Sequence, residues 1–119
     1  MVLFTVFTPT FNRKKYIKSV YNSLLDQDSN LFEWLIIDDG STDNTYDLVN
    51  NLKQNSGFKI IYHYQKNSGK HVAHNKALKY ANGEFVLFLD SDDELLPKSI
   101  EYVANVWKNI DNREKNEIS

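Results

Sequence analysis

The sequence contains no cysteine. Disulfide staples, thiolate zinc sites and thiol nucleophiles are therefore excluded, and the fold must stand on its apolar core. Glycine and proline are also scarce, at four and two residues. No G-x-G-x-x-G dinucleotide fingerprint occurs, which leaves a nicotinamide-dependent oxidoreductase a weak reading. No apolar run is long enough to cross a bilayer. The N-terminal MVLFTVFTP is short and lacks both a positive n-region and a small-residue cleavage site, so it is not read as a signal peptide. A cytoplasmic chain is expected, with membrane association left to parts of a full-length parent. Net charge is −2 and the pI is near 5.9. No basic face for nucleic acid is expected from that balance. What is present suits one soluble domain: 119 residues, 41% hydrophobic, 13% aromatic and 25% charged.

Apolar runs and helical periodicities alternate along the chain. Val2–Thr8 reads as a buried strand stopped by Pro9, and Asn12 as the cap of a helix from Arg13 to Gln27. A second strand, Phe32–Ile37, precedes a helix capped by Thr42 or Asp43 and ending near Gln54. A third, Phe58–Tyr64, leads through the turn Lys66–Lys70 to a helix over His71–Tyr80, stopped near Asn82-Gly83. The fourth strand, Glu84–Leu89, is followed by the acidic loop Asp90–Glu94. Pro97 then stands in the first turn of a helix to Asn109. Residues 1–109 form the domain, and 110–119 a polar tail that frays. This β-α alternation predicts an α/β fold with a largely parallel sheet flanked by helices. In such sheets ligands bind beyond the carboxyl ends of the strands. Four segments lie there: Thr8–Arg13, Asp38–Ser41, Tyr64–Lys70 and Asp90–Asp93.

Each segment carries a candidate. Proline at position 9 stops a ladder and frees neighbouring backbone groups. Phe11 could stack on a base and Arg13 reach a phosphate, or the segment is a plain strand-to-helix turn. Asp38 and Asp39 are strand neighbours and must face opposite sides. One of them faces the crevice, or Asp38 or Ser41 merely caps the next helix and the other residue is solvated. Lys70, near a helix N-terminus, could help neutralise a diphosphate. His71 and His74 lack a third partner at matching spacing and read as surface or satisfied histidines. Asp90, Asp92 and Asp93 place three carboxylates within four residues after an apolar strand. Like charges so close call for a cation. Hard oxygen donors suit Mg²⁺ or Mn²⁺, and this reading is favoured over a solvated helix cap.

Four stretches taken in order resemble the family-two glycosyltransferases of GT-A fold: ThrProThrPheAsnArg (8–13), IleIleAspAspGlySerThrAspAsnThr (36–45), AsnSerGlyLys to AlaHisAsnLysAla (67–77) and GlyGluPheValLeuPheLeuAspSerAspAsp (83–93). The resemblance covers about residues 1–100. It implies the Rossmann-like nucleotide-binding half of that fold and inverting transfer of a sugar from a nucleotide donor, usually uridine diphosphate-linked. It implies that the backbone at Pro9 and the side chain of Asp39 hold the uracil, and that Asp90-Ser91-Asp92 is the DxD motif. Asp92 would then bind the metal bridging the phosphates, and Asp90 the ribose or metal. Many relatives carry arginine where this chain has His74. The family's catalytic base and acceptor site lie further along, and no residue here matches that base. The chain therefore reads as an N-terminal portion, with glycan, lipid-linked or protein acceptor undetermined. An exposed sheet edge would let two copies associate as a homodimer. Two further classes compete. A signalling receiver has similar length but needs its acidic pair after strand one. A noncatalytic interaction module need not have kept the Asp-Ser-Asp triplet.

Overall fold

The computed structural model describes residues 2–118, with side chains over residues 2–110. Strands and helices alternate: β1 (Phe4–Thr10), α1 (Lys14–Leu25), β2 (Phe32–Asp38), α2 (Thr45–Asn55), β3 (Ile60–Tyr64), α3 (Lys70–Tyr80), β4 (Phe85–Phe88) and α4 (Ser99–Ile118). The four strands form one parallel sheet in the order β3-β2-β1-β4. Every residue of β1 and β2 is buried, as a strand covered on both faces requires.

Handedness explains which face each helix takes. The chain steps from β1 to β2 to β3 in one direction, then returns across the sheet to β4. Right-handed crossovers in opposite directions deliver helices to opposite faces. Phe4, Val6, Trp34 and Ile36 accordingly pack with Ile17 and Val20 of α1, Val49 of α2 and Ile100 of α4. Their strand neighbours Phe7, Leu35 and Ile37 pack on Ala73 and Ala77 of α3. The reversal falls between β1 and β4, where ligand crevices of open α/β sheets lie.

A polar network sits at the amino end of the α3 face. Glu33 is only 1% exposed. Its carboxylate accepts the Thr5 hydroxyl at 2.7 Å, the Asn82 backbone N–H at 2.9 Å and the Asn82 amide at 3.2 Å. The Thr5 Oγ1 in turn accepts the Gly83 N–H at 2.9 Å. Gly83 lies so close to β1 that a Cβ there would stand 2.5 Å from Phe4 C and Thr5 N.

Four expectations need correction. β1 does not stop at Pro9 but runs to Thr10. Phe7 accepts from Leu89 on the β4 side, while Thr10 accepts from Asp39 on the β2 side. Alternation points Pro9 toward β4, so its missing N–H ends that ladder and spares the pairing with β2. Asn12 does not cap α1. It adopts φ +52°, and Arg13 occupies the cap position. Neither Thr42 nor Asp43 is the cap residue of α2, a position held by Asn44 at φ +66°. Finally, α4 starts at Ser99, beyond Pro97, and continues to Ile118, so the stretch expected as a frayed tail prolongs that helix.

β4 is an edge strand. Phe85, Leu87, Val103, Val106, Trp107 and Ile110 line an apolar groove between it and α4.

Candidate functional site

Loops from the carboxyl ends of β1, β2, β3 and β4 meet in a pocket of about 240 Å³. Pro9, Phe11, Arg13, Asp39, Lys70, Asp90, Ser91 and Asp92 all line it. These residues are thus brought to one place, with Asp93 of the acidic cluster outside the lining. Thr10 and Ala73 complete the wall. Sequence reasoning passed over both, although Thr10 stood inside the first motif. Ala73 is small enough to let the first turn of α3 approach the strand ends. The Thr10 Oγ1 is buried without a hydrogen-bond partner, an uncommon condition for a hydroxyl.

The first two loops hold each other. The Asn12 N–H donates to Ser41 Oγ at 2.8 Å, and the Asn12 side chain accepts the Thr42 N–H at 2.8 Å. Asp43 accepts the Lys14 N–H at 3.0 Å, supplying α1 with the cap that its own sequence lacks. The left-handed backbone at Asn12 and Asn44 suits asparagine, which tolerates that region better than most residues.

The Asp38-Asp39 pair divides as strand geometry requires. Asp38 is buried and accepts the Ser41 N–H at 2.9 Å and the Tyr62 hydroxyl at 2.5 Å. Burial and the neighbouring Asp38 push the Tyr62 hydroxyl well above its ordinary pKa. Asp39 faces the pocket and organises the turn after β3. Its carboxylate accepts the Ser68 N–H at 2.7 Å, the Gln65 amide at 2.8 Å and the Gly69 N–H at 3.1 Å. Burial alone would raise its pKa, but the bonds from Ser68, Gln65 and Gly69, aided by the Lys76 charge, hold it below the ordinary value. Asp43 behaves alike: burial opposes ionisation, and bonds from Thr45 and Lys14 outweigh it.

A depressed folded-state pKa has a definite consequence for stability. The unfolded chain takes up protons on these carboxylates first, so their contribution is full above the ordinary carboxylate range. It is lost as pH falls through the lower folded values. Denaturant titrations are expected to show stability declining below roughly pH 4, with a shallower decline in Asp43→Asn. An identical decline in that variant would contradict the assignment.

Asp90, Asp92 and Asp93 are exposed, and a carboxylate oxygen from each lies within 4.8 Å of the others. Such a donor set fits one hard divalent cation with positions to spare. Asp93 joins the cluster without lining the pocket. Arg13 Nη1 lies 3.9 Å from Asp92 Oδ2, which places a cation between β1 and the acidic loop. Lys70 opens α3, so its charge stands at the N-terminus of a helix that borders the pocket. His74 does not line the pocket. Its ring stacks on Phe88 at 4.9 Å and meets Phe7 edge-on at 5.3 Å.

The loop carrying the acids is anchored at both ends. The Leu89 N–H donates to Phe7 O at its start. Beyond it, the buried Gln27 donates to Leu96 O at 2.8 Å and accepts the Ile100 N–H at 2.9 Å.

Comparison with known proteins places this geometry. The family model described as glycosyl transferase family 2 matches residues 5–113. The chain is 39% identical over 105 residues to TuaG of Bacillus subtilis, a glycosyltransferase named for teichuronic acid biosynthesis; the match covers 85% of this chain and 42% of that protein. It superposes on the crystal structure of Staphylococcus aureus TarS 1-349 in complex with UDP with a TM-score of 0.80 and 38% identity, covering 87% of this chain and 31% of that one. A mannosyltransferase from Pyrobaculum calidifontis, solved with GDP-Man and Mn²⁺, gives a TM-score of 0.70 at 29% identity, covering 75% of this chain and 27% of that one. The chain spans less than half the length of each of these relatives. The matched span, the GT-A-type fold and the pocket at the strand ends agree: this chain belongs to glycosyl transferase family 2.

Proposed function

We propose that this chain forms the donor-binding part of an enzyme that transfers a sugar from a nucleoside diphosphate, UDP in the first instance, to an acceptor hydroxyl with inversion. The observation that carries the reading is the convergence of Pro9, Phe11, Arg13, Asp39, Lys70, Asp90, Ser91 and Asp92 on one pocket. The TarS structure with UDP and the mannosyltransferase with GDP-Man and Mn²⁺ support it by likeness.

The chain's own groups divide the work. Phe11, 46% exposed, offers an aromatic face to a base. Asp39 is held ionised and oriented by the 65–69 turn, so its remaining acceptor capacity can receive an N–H of the base. Arg13 and Lys70 bring positive charge to a diphosphate from opposite walls. Asp90 and Asp92 would hold Mg²⁺ or Mn²⁺, with Asp93 at the outer side and Ser91 between them. When bound, that ion would offset the charge developing on the departing diphosphate. The base for an acceptor hydroxyl and the acceptor site are assigned to the remainder of the parent enzyme.

The test is calorimetric titration of UDP into this chain with and without Mn²⁺. Binding that requires the metal is expected. No binding in either condition, here and in a longer chain of the parent, would sink the reading.

A further inference from the structure

We infer that the outer face of α1, beside the donor pocket, binds a polyanionic strand, meaning a chain that carries repeated phosphate or carboxylate groups. Residues 13–18 read Arg-Lys-Lys-Tyr-Ile-Lys, and all but Ile17 are exposed. Lys14, Lys15 and Lys18 line a depression of about 570 Å³ together with Tyr16 and Leu48. The i and i+4 spacing puts Lys14 and Lys18 on one helix face, with Lys15 adjacent. Among the described residues none of the three has a carboxylate within 4.0 Å. Asp43 is the one acid among the residues lining the depression, and it is held ionised by the Lys14 N–H and the Thr45 hydroxyl, three lysines against one carboxylate. Arg13 and Lys15 both lie over the Tyr16 ring, at 5.6 and 5.1 Å from its centroid. The ring therefore attracts both cations to the start of α1.

This concentration of positive charge stands on a chain whose net charge is −2, so general basicity does not account for it. Lysines are mobile point charges on long stems. They suit repeated anionic groups better than one shaped ligand, which arginine forks would hold. Tyr16 and Leu48 can receive the carbon skeleton between those groups. Arg13 lines the donor pocket and begins this patch, so the two are contiguous. That the strand is the acceptor, held alongside the donor, rests on the glycosyltransferase reading above; the binding itself does not.

The test uses inorganic polyphosphate as the probe, on the wild-type chain and on K14Q/K15Q/K18Q. Glutamine keeps helix propensity close to that of lysine, and the three side chains are exposed, so the variant should melt as the wild type does. Expected is at least a tenfold loss of polyphosphate affinity at low salt. The slope of log affinity against log salt should fall by roughly two, as lost counterion release predicts. The Mn²⁺-dependent binding of UDP should be unchanged. Equal affinity of the two chains would overturn the inference. So would displacement of polyphosphate by UDP, which would place it in the donor pocket. Lysine-dependent binding to phosphatidylglycerol vesicles with none to polyphosphate would overturn it in favour of a membrane. If UDP fails to bind while polyphosphate binds through these lysines, the donor reading falls and the polyanion site stands.

Discussion

Asp92→Ala is expected to remove the Mn²⁺-dependent part of UDP binding, weakening affinity in the presence of metal by about a hundredfold or more. Changes to residues that only orient metal ligands already cost about 10- to 100-fold, so loss of a direct ligand should cost no less. The remaining carboxylates, Asp90 and Asp93, would still lie close together, but Asp92 is the one that also faces Arg13 across the pocket. The sign of the effect should reverse without metal. There Asp92 is a negative charge beside a negative diphosphate, and its removal also frees Arg13. The variant should then bind UDP as well as the wild type, or slightly better. This crossover separates metal coordination from general damage, which would weaken both conditions alike. Unchanged affinity in Mn²⁺ would refute the assignment of Asp92.

Gly83→Ala is expected to cost at least about 3 kcal/mol, at or beyond the upper end of ordinary overpacking. The added Cβ would meet Phe4 C and Thr5 N at 2.5 Å and Thr5 Oγ1 at 2.9 Å. Two of these are backbone atoms of a strand paired on both sides, so no side chain can turn aside. Displacing the Gly83 N–H from Thr5 Oγ1 would also disturb the hydroxyl that serves Glu33. A fall in melting temperature of roughly 10 °C or more follows for a domain of this size. Gly57→Ala is the matched control. Nothing lies within 4 Å of a Cβ there, and a compatible glycine-to-alanine change is neutral or mildly stabilising. Equal melting of Gly83→Ala and wild type would show that the close approach is not real. Gly83 stands at the amino end of the sheet, away from the pocket. UDP affinity measured well below the melting transition should therefore be kept.

Much of this arrangement was legible in the chain itself. Period and composition mark all eight elements because β1 and β2 are fully buried and read as continuous apolar runs. The strand-end rule then selects the four loops that form the pocket. Errors gathered where a partner distant in sequence decides the local outcome. Asn12 is a good cap by type, but Ser41 and Thr42 engage it from another loop. Asp43 was expected to start its own helix and instead caps α1. Pro9 looks like a stop unless one knows which neighbour its missing N–H faces. Ala73 and Thr10 carry no chemical signature, and only their position makes them part of the wall. The depth of Glu33 was equally hidden, since a carboxylate in a strand reads as an outward residue until Asn82 and Thr5 are seen to enclose it.

The return of the chain to β1 also sets the order in which this protein can be made. Phe4 pairs with Phe32 on one side and with Phe85 on the other. As the chain leaves the ribosome, β2 and β3 can add to β1 while its second edge stays bare. That edge waits for β4, and the acids that follow β4 arrive later still. The pocket can thus close only after β4 has emerged. Long-range pairing of this kind slows folding. A donor that touches both Phe11 and Asp92 would hold the loops after β1 and β4 together, and would favour the closed state in proportion to its occupancy.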